Sequence, residues 1–469
     1  MKINIKNIGV IENSSIIIDG LTVITGSNNS GKSTTGKVLY SMFSAKEDLF
    51  ENVTLDIINH TKVRSSDIIR NSGLSFFFRR HIRNNNENNG ILYNVFNGVH
   101  PNITSIEDAV QYIVEICDEI NRLNLDEIVE QYKLNLEHIT KYKNSEAFKN
   151  DMSEVISEFE ILMKHVEKIR NFDYYESRKI YKTLVKEFSG QISPVKKQDN
   201  YISEITIENQ NDLYSINIDC KSKKTSYEGY FGFEDTSNVV FVDDITVLDN
   251  LNIGLTDFFD RMRRGGGRND LMDNIFVLDH NYALIKKLAT EKNIVESIIS
   301  DEFVNMINDK ISCAFDDDAI VRDGVFICAK DGLNLSNLAM GAKIFAIIKM
   351  LLSNGNINAK TLLILDEPES HLHPLWQNKL AELIVILIKY LKLKVVITSH
   401  SPNFVLALQT YAGKYGMIEQ ASFYSTKKKE DNYTIDYQLM NDDMTEVYAD
   451  FARPFSEIKS QFDFINKGE

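Results

Sequence analysis

Gly26-Ser27-Asn28-Asn29-Ser30-Gly31-Lys32-Ser33 is the stretch that decides the fold. It fits the pattern G-x-x-x-x-G-K-[ST], in which backbone N–H groups wrap a phosphate, a lysine reaches the β- and γ-phosphates, and a serine hydroxyl faces magnesium. Glycines are required because side chains would obstruct the wrapping backbone. Just before it, Leu21 to Thr25 reads as a strand running into the loop. Just after it, Ser33 to Phe43 reads as a helix whose N-terminus adds a favourable field for an anion. The strand–loop–helix context makes Gly26, Ser27, Asn28, Asn29, Ser30, Gly31, Lys32, Ser33 and Thr34 the candidate ATP-binding residues.

A matching half stands far downstream. Leu362-Leu363-Ile364-Leu365-Asp366-Glu367-Pro368 is an aliphatic strand ending in two carboxylates, where parallel strands present ligands. Asp366, with Ser33, is expected to hold Mg²⁺, and Glu367 to polarise an attacking water. His400 follows a second apolar strand, Lys394 to Thr398, and a neutral imidazole there is placed to hydrogen-bond the γ-phosphate or the water. Together the halves predict an ATPase using ATP and magnesium. His371 and His373 have no cysteine or third histidine beside them, which disfavours zinc. Trp376, with Leu380, Leu383 and Leu387, reads as the core side of a helix.

Composition bounds the rest. The chain has 469 residues, 43% apolar and 25% charged, as in an ordinary globular protein of two or three domains. Its net charge of −15 argues against a general nucleic-acid coat, while leaving room for local basic patches. Arg79, Arg80 and Arg83 beside Phe76-Phe77-Phe78, and Arg261, Arg263, Arg264 and Arg268, are the candidate DNA contacts. The four cysteines are scattered, without a C-x-x-C pair, and read as reduced thiols. The N-terminus lacks the apolar run of a signal peptide. The longest apolar stretch, Leu383 to Ile388, falls well short of the roughly 20 residues that span a bilayer. A soluble, cytoplasmic protein with no membrane partner is expected.

Along the chain, Ile3, Ile5 and Ile8, then Ser15 to Ile18, read as strands preceding the one at Leu21. Thr104-Ser105-Ile106-Glu107 has the form of a capping box, with Val110, Ile113, Val114, Cys117 and Ile120 at helical spacing. Met152, Val155, Phe159, Leu162, Val166 and Ile169 form a coiled-coil-like seam of barely three heptads. Alternation returns between Ile202 and Phe233, and Val239 to Val242 is a short strand ending at Asp243-Asp244. The expected division is a head part over 1–45, a mainly helical insertion over 46–198, and a second head part over 199–469.

Taken in order, Gly26–Ser33, Leu338-Ala339-Met340-Gly341-Ala342-Lys343, Leu362–Pro368 and Ile397–His400 resemble an ABC-type ATPase head. Leu365-Asp366-Glu367-Pro368-Glu369-Ser370-His371-Leu372-His373-Pro374 is similar to the OLD-family ATPases of the RecF/SMC-related class. Ile5-Lys6-Asn7-Ile8-Gly9 leading to Val23–Gly26 fits the same group. The resemblance covers 1–45 and about 320–405.

It implies an α/β fold, an ABC-type P-loop ATPase head with a mixed sheet flanked by helices, and a helical insertion. It also implies a head-to-head homodimer, or a higher oligomer, with nucleotides sandwiched between subunits. Each site would take its signature segment, Ala339, Met340, Gly341 and Lys343, from the other chain, a helix N-terminus facing the γ-phosphate. The small serine-containing signature of the class is replaced here by Ala339-Met340-Gly341, which removes a hydroxyl and predicts slow turnover. No glutamine stands in the lobe-linking loop near Asp244, so that role stays unassigned.

Many OLD-family proteins carry a Toprim nuclease, and the segment after His400 is too short for one. The effector is therefore expected to be a separate protein, a nuclease, as in the stand-alone anti-phage ATPases of PtuA-like and AriA-like type. The leading expectation is an ATP-gated sensor or scaffold in bacterial defence. The alternative is a RecF/SMC-like clamp closing on DNA, and a transporter motor is a weaker third.

Overall fold

The computed structural model describes residues 1–75, 91–123, 145–194, 202–209, 212–219, 221–222, 224–229, 236–251, 275, 277–289, 307, 319–322, 325–328, 338–429, 435–441 and 443–467. Both arginine clusters lie outside them. The chain begins β1 (Lys2–Ile8), β2 (Ile11–Ile17), β3 (Leu21–Thr25), α1 (Lys32–Ser44). Helices α2 (Leu49–Asn71), α3 (Ile91–Asn97), α4 (Ile106–Arg122), α5 (Ser145–Arg170) and α6 (Phe172–Glu187) follow. Then come β4 (Ile202–Asn209), β5 (Asp212–Asp219), β6 (Lys224–Gly229), β7 (Asn238–Val242), a 3-10 turn over Ile245–Asn250, and α7 (His280–Ala289). The remainder is β8 (Ala319–Arg322), β9 (Val325–Cys328), α8 (Met340–Ser353), β10 (Thr361–Asp366), α9 (Pro374–Leu391), β11 (Lys394–Ser399), α10 (Pro402–Lys414), β12 (Ala421–Lys428), β13 (Ile435–Leu439) and α11 (Thr445–Lys467).

The chain forms two compact units. The first, Met1–Glu47 with Ser177–Gly265 and Val277–Glu469, is built on an eleven-stranded sheet of order β6-β5-β4-β1-β2-β13-β12-β3-β11-β10-β7. The run β12-β3-β11-β10-β7 is all parallel. The β6-β5-β4-β1-β2 end is antiparallel. Parallel strands covered on both faces should be continuously apolar, which is why the strand before Asp366 is an unbroken aliphatic run. Successive residues of that run point to opposite faces. Leu363 and Leu365 join the core cluster with Ile344, Phe345, Leu383 and Leu387 from α8 and α9. Leu362 and Ile364 join the opposite cluster with Val38, Leu39 and Phe43 of α1 and Ile180 and Leu184 of α6. Trp376 packs edge-on against Phe345 with ring centroids 5.8 Å apart. The expected α/β architecture, a mixed sheet flanked by helices, is the one observed.

The second unit, Asp48–Glu176 with Gly266–Phe276, is helical over its described residues. In α5, Val155, Phe159, Leu162, Val166 and Ile169 of the expected seam are buried, while Met152, which opened it, is only half-buried. Two details differ at α4. The capping box is Ser105 with Asp108, not Thr104 with Glu107, because Ser105 is the last extended residue and its third follower is Asp108. The buried stripe is Ile106, Ala109, Tyr112, Ile113, Ile116 and Ile120, while Val114 is exposed. The helix is thus rotated slightly from the face the apolar spacing suggests.

Candidate functional site

β3 delivers the chain to Gly26, whose φ of 156° is in the range glycine favours. A Cβ there would stand 1.8 Å from Thr426 Oγ1 and 2.9 Å from Ser30 Oγ, so no other residue fits. Gly31, with φ 74°, N-caps α1 without a side-chain bond, and the first-turn N–H groups are left for an anion. Lys32 Nζ is buried over the loop, donating to the carbonyls of Gly26 at 3.0 Å and Ser27 at 2.9 Å. Ser30 Oγ and Thr426 Oγ1 are buried with no hydrogen-bond partner among the described residues. A glycine-lined cradle with unsatisfied hydroxyls and a buried ammonium fits a triphosphate.

The ends of β10 and β11 face this loop. Ser33 hydrogen-bonds Asp366, and Thr398 Oγ1 donates to Asp366 Oδ1. Burial pushes the Asp366 carboxyl up, against those two bonds, and the negative charges of Glu367 and Asp243 add to the rise. Paired hard oxygens on a crowded acidic strand end are the donor set a magnesium ion takes. Glu367 Oε1 stands 3.6 Å from Lys32 Nζ and 3.1 Å from His400 Nδ1. Glu367 holds φ at 50°, a left-handed conformation costing about 1–2 kcal/mol outside glycine. Its N–H, bonded to the Thr398 carbonyl at 3.1 Å, fixes it there. The fold thus brings Lys32, Ser33, Asp366, Glu367 and His400 together.

The signature segment is differently placed. Ala339 and Met340 are exposed at the start of α8. Gly341 is explained within its own chain, since a Cβ would meet the His371 carbonyl oxygen at 2.9 Å. Lys343 is buried, and its Nζ donates to both carboxylate oxygens of Asp249 at 2.7 and 2.8 Å. Its ammonium is therefore engaged in cis. His373 N-caps α9, accepting from Leu375 N at 3.3 Å.

Several neighbours carry no local sequence signal. Tyr437 of β13 donates its hydroxyl to the Gly31 carbonyl at 2.7 Å and lies 2.7 Å from Thr35 Oγ1. Thr25 Oγ1 donates to the Tyr424 carbonyl at 2.9 Å. At the end of β7, Asp243 Oδ2 is 2.7 Å from His280 Nε2, and His280 Nδ1 is 2.6 Å from Glu187 Oε2. Burial opposes a charge on His280, but its bonds to Asp243 and Glu187 and their charges prevail and raise its pKa to about 9. Burial likewise works against the Asp243 carboxylate, which His280 nevertheless pulls below the usual range. Phe241 packs on the imidazole at 4.3 Å between centroids.

Among family models, the one described as "AAA domain, putative AbiEii toxin, Type IV TA system" matches residues 329–407. No curated protein matches the sequence. Among solved structures, an SmcHead bound to the C-winged helix domain of ScpA aligns with a TM-score of 0.41 at 9% identity, covering 96% of this chain and 98% of its own. The SMC head domain from Thermotoga maritima gives 0.35 at 10% identity, covering 93% and 97%. An Smc head domain with an extended coiled coil, bound to the C-terminal domain of ScpA derived from Pyrococcus furiosus, gives 0.37 at 11%, covering 98% of each. The strand-to-loop-to-helix cradle, the acidic strand end beside it and the mixed sheet together form a candidate site for a nucleotide phosphate.

Proposed function

We propose that the chain binds and hydrolyses Mg·ATP at this site. The observation that supports it most directly is the row Lys32–Glu367–His400, with contacts of 3.6 and 3.1 Å, beside the glycine cradle. Gly26 to Thr34 wrap and orient the phosphates, and Lys32 follows negative charge toward the γ-position. Ser33 and Asp366 hold magnesium, which supplies charge neutralisation on the phosphate oxygens. Glu367 accepts a proton from, or aligns, the attacking water, and His400 orients Glu367. Ala339 and Met340, exposed at a helix N-terminus, offer the face that a second copy would present to the γ-phosphate in a head-to-head dimer.

The biological role that fits best is an ATP-gated sensor or scaffold in bacterial anti-phage defence, controlling a separate effector that we take to be a nuclease. The toxin–antitoxin wording of the matching family model supports a defence setting. The net charge of −15 favours a protein partner over a nucleic-acid clamp.

Two measurements test this. Labelled ATP should be retained by the protein with magnesium and lost by at least about 100-fold in Lys32→Ala, which removes the charge at the phosphates. A protein that retains no nucleotide under any condition ends the reading. Co-expressed with its genomic neighbours, the wild type should protect cells from phage, and Lys32→Ala and Glu367→Gln should not. Duplex-DNA binding that weakens steeply with salt, with no protein partner recovered, would select the clamp instead.

A further inference from the structure

Glu369 lies three residues past Asp366 and is 1% exposed. Its Oε1 accepts from Ser399 Oγ at 2.6 Å and faces the backbone N–H of His400 at 3.4 Å. Its Oε2 is buried with no hydrogen-bond partner among the described residues. Ser399 Oγ also accepts from Ser401 N at 3.1 Å, so one carboxyl organises three consecutive residues at the end of β11. Gln377 braces the same two loops from α9, donating to the Leu372 carbonyl at 3.1 Å and accepting from Ser401 Oγ at 2.8 Å.

A carboxyl in such a place is costly, since a buried anion with one bare oxygen forfeits its hydration. Burial pushes it up toward the neutral acid. Packing alone would be better served by an apolar residue of the same size. His400, by contrast, is 42% exposed, so little packing holds its ring, and its direction depends on its backbone. The imidazole reaches Glu367 only if the Ser399–His400 peptide is held in place.

We infer that Glu369 is the positioning residue for His400, fixing the Ser399–His400 peptide so that the imidazole meets Glu367. This rests on the ATPase reading above. Glu369 touches no reacting atom and acts through His400 alone.

The test is a double-mutant cycle on the full chain. Glu369→Ala should retain labelled Mg·ATP within about threefold and lose about 10- to 100-fold in single-turnover hydrolysis, the range of a misplaced proton-handling group. On a His400→Ala background the same change should cost nothing more, because coupled groups are not additive. Glu369→Gln should stay within about threefold of wild type, since an amide oxygen accepts both bonds. Hydrolysis by Glu369→Ala at the wild-type rate, or losses that multiply across the cycle, overturn the inference. If Glu369→Ala does not fold, Ser399→Ala carries the cycle and must show a loss that vanishes without His400. The His400 ring resonances, read by NMR on histidine-labelled protein without nucleotide, should move in Glu369→Ala (or Ser399→Ala) and not in Glu369→Gln. Unmoved resonances overturn the inference whatever hydrolysis shows, whereas a wild type that retains no ATP overturns the ATPase reading alone.

Discussion

At the end of β10, Asp366 and Glu367 keep carboxylate oxygens toward a polar, partly exposed space. At the end of the neighbouring β7, Asp243 is closed off by His280, itself backed by Glu187. The strands are parallel and hydrogen-bonded, and each ends in two acidic residues. The difference lies in what faces Asp243 and Asp366, the first carboxylate at each end, since Glu367 already has Lys32 3.6 Å away. At neutral pH Asp243 has a cation from its own chain, the protonated His280. Among the described residues Asp366 has only the hydroxyl donors Ser33 and Thr398, and burial pushes its carboxyl up, which makes it the candidate for a cation supplied from outside. One strand end is a structural pair and the other a candidate site.

The largest effect that would sharpen this contrast is on chemistry. Glu367→Gln should cut single-turnover ATP hydrolysis by about 100- to 10,000-fold, the range for losing a general base. Nucleotide retention should survive, and thermal melting should hardly change, since Glu367 is half-exposed and in a strained conformation. A large fall in melting temperature would break the distinction.

His280→Gln should do the reverse and act on stability. The folded pKa of His280 is raised, to about 9 from 6.5, so its contribution is complete below pH 6.5 and is lost as pH rises through 9. At neutral pH this is on the order of 3 kcal/mol by linkage. Urea unfolding of the wild type should therefore lose stability between pH 6.5 and 9, and the variant should be less stable with a flatter profile. Equal slopes in the two proteins would remove the charged bridge from the account.

The smallest effect concerns the wall of the cradle. Tyr437→Phe removes the bonds to the Gly31 carbonyl and Thr35, and should cost about 1 kcal/mol in unfolding. ATP affinity measured by calorimetry should weaken by a few-fold, since the loop keeps its glycines but loses a brace. An unchanged affinity would mean that the loop holds its shape without β13.

How much of this was legible in the sequence depended on chain distance. Gly26–Ser33 was readable because one turn of backbone contains the whole phosphate device. Asp366 and Glu367 were readable because an unbroken aliphatic strand points to its own end. Glu369 stood inside the same quoted run but gave no signal, because its partner Ser399 lies on another strand. Lys343 was read as part of a segment serving the other chain's site, and within its own chain it is buried on Asp249, an ion pair no periodicity displays. Thr426 and Tyr437 reach the site only through sheet order, since β12 and β13 insert between β2 and β3, whereas Glu187 and His280 meet Asp243 through the placement of the helices α6 and α7. At α4 the error was local: capping is set by which residue is last extended, and two adjacent hydroxyl residues offer two registers.

β3 sits between β11 and β12, and the Gly31 carbonyl takes its bond from Tyr437 across 406 positions of chain. The phosphate loop leaves the ribosome well before the strand that walls it. A nascent chain therefore presents the nucleotide-binding motif long before it has a nucleotide-binding pocket. Closure of the cradle must wait until β12 and β13 have been made and have paired beside β3.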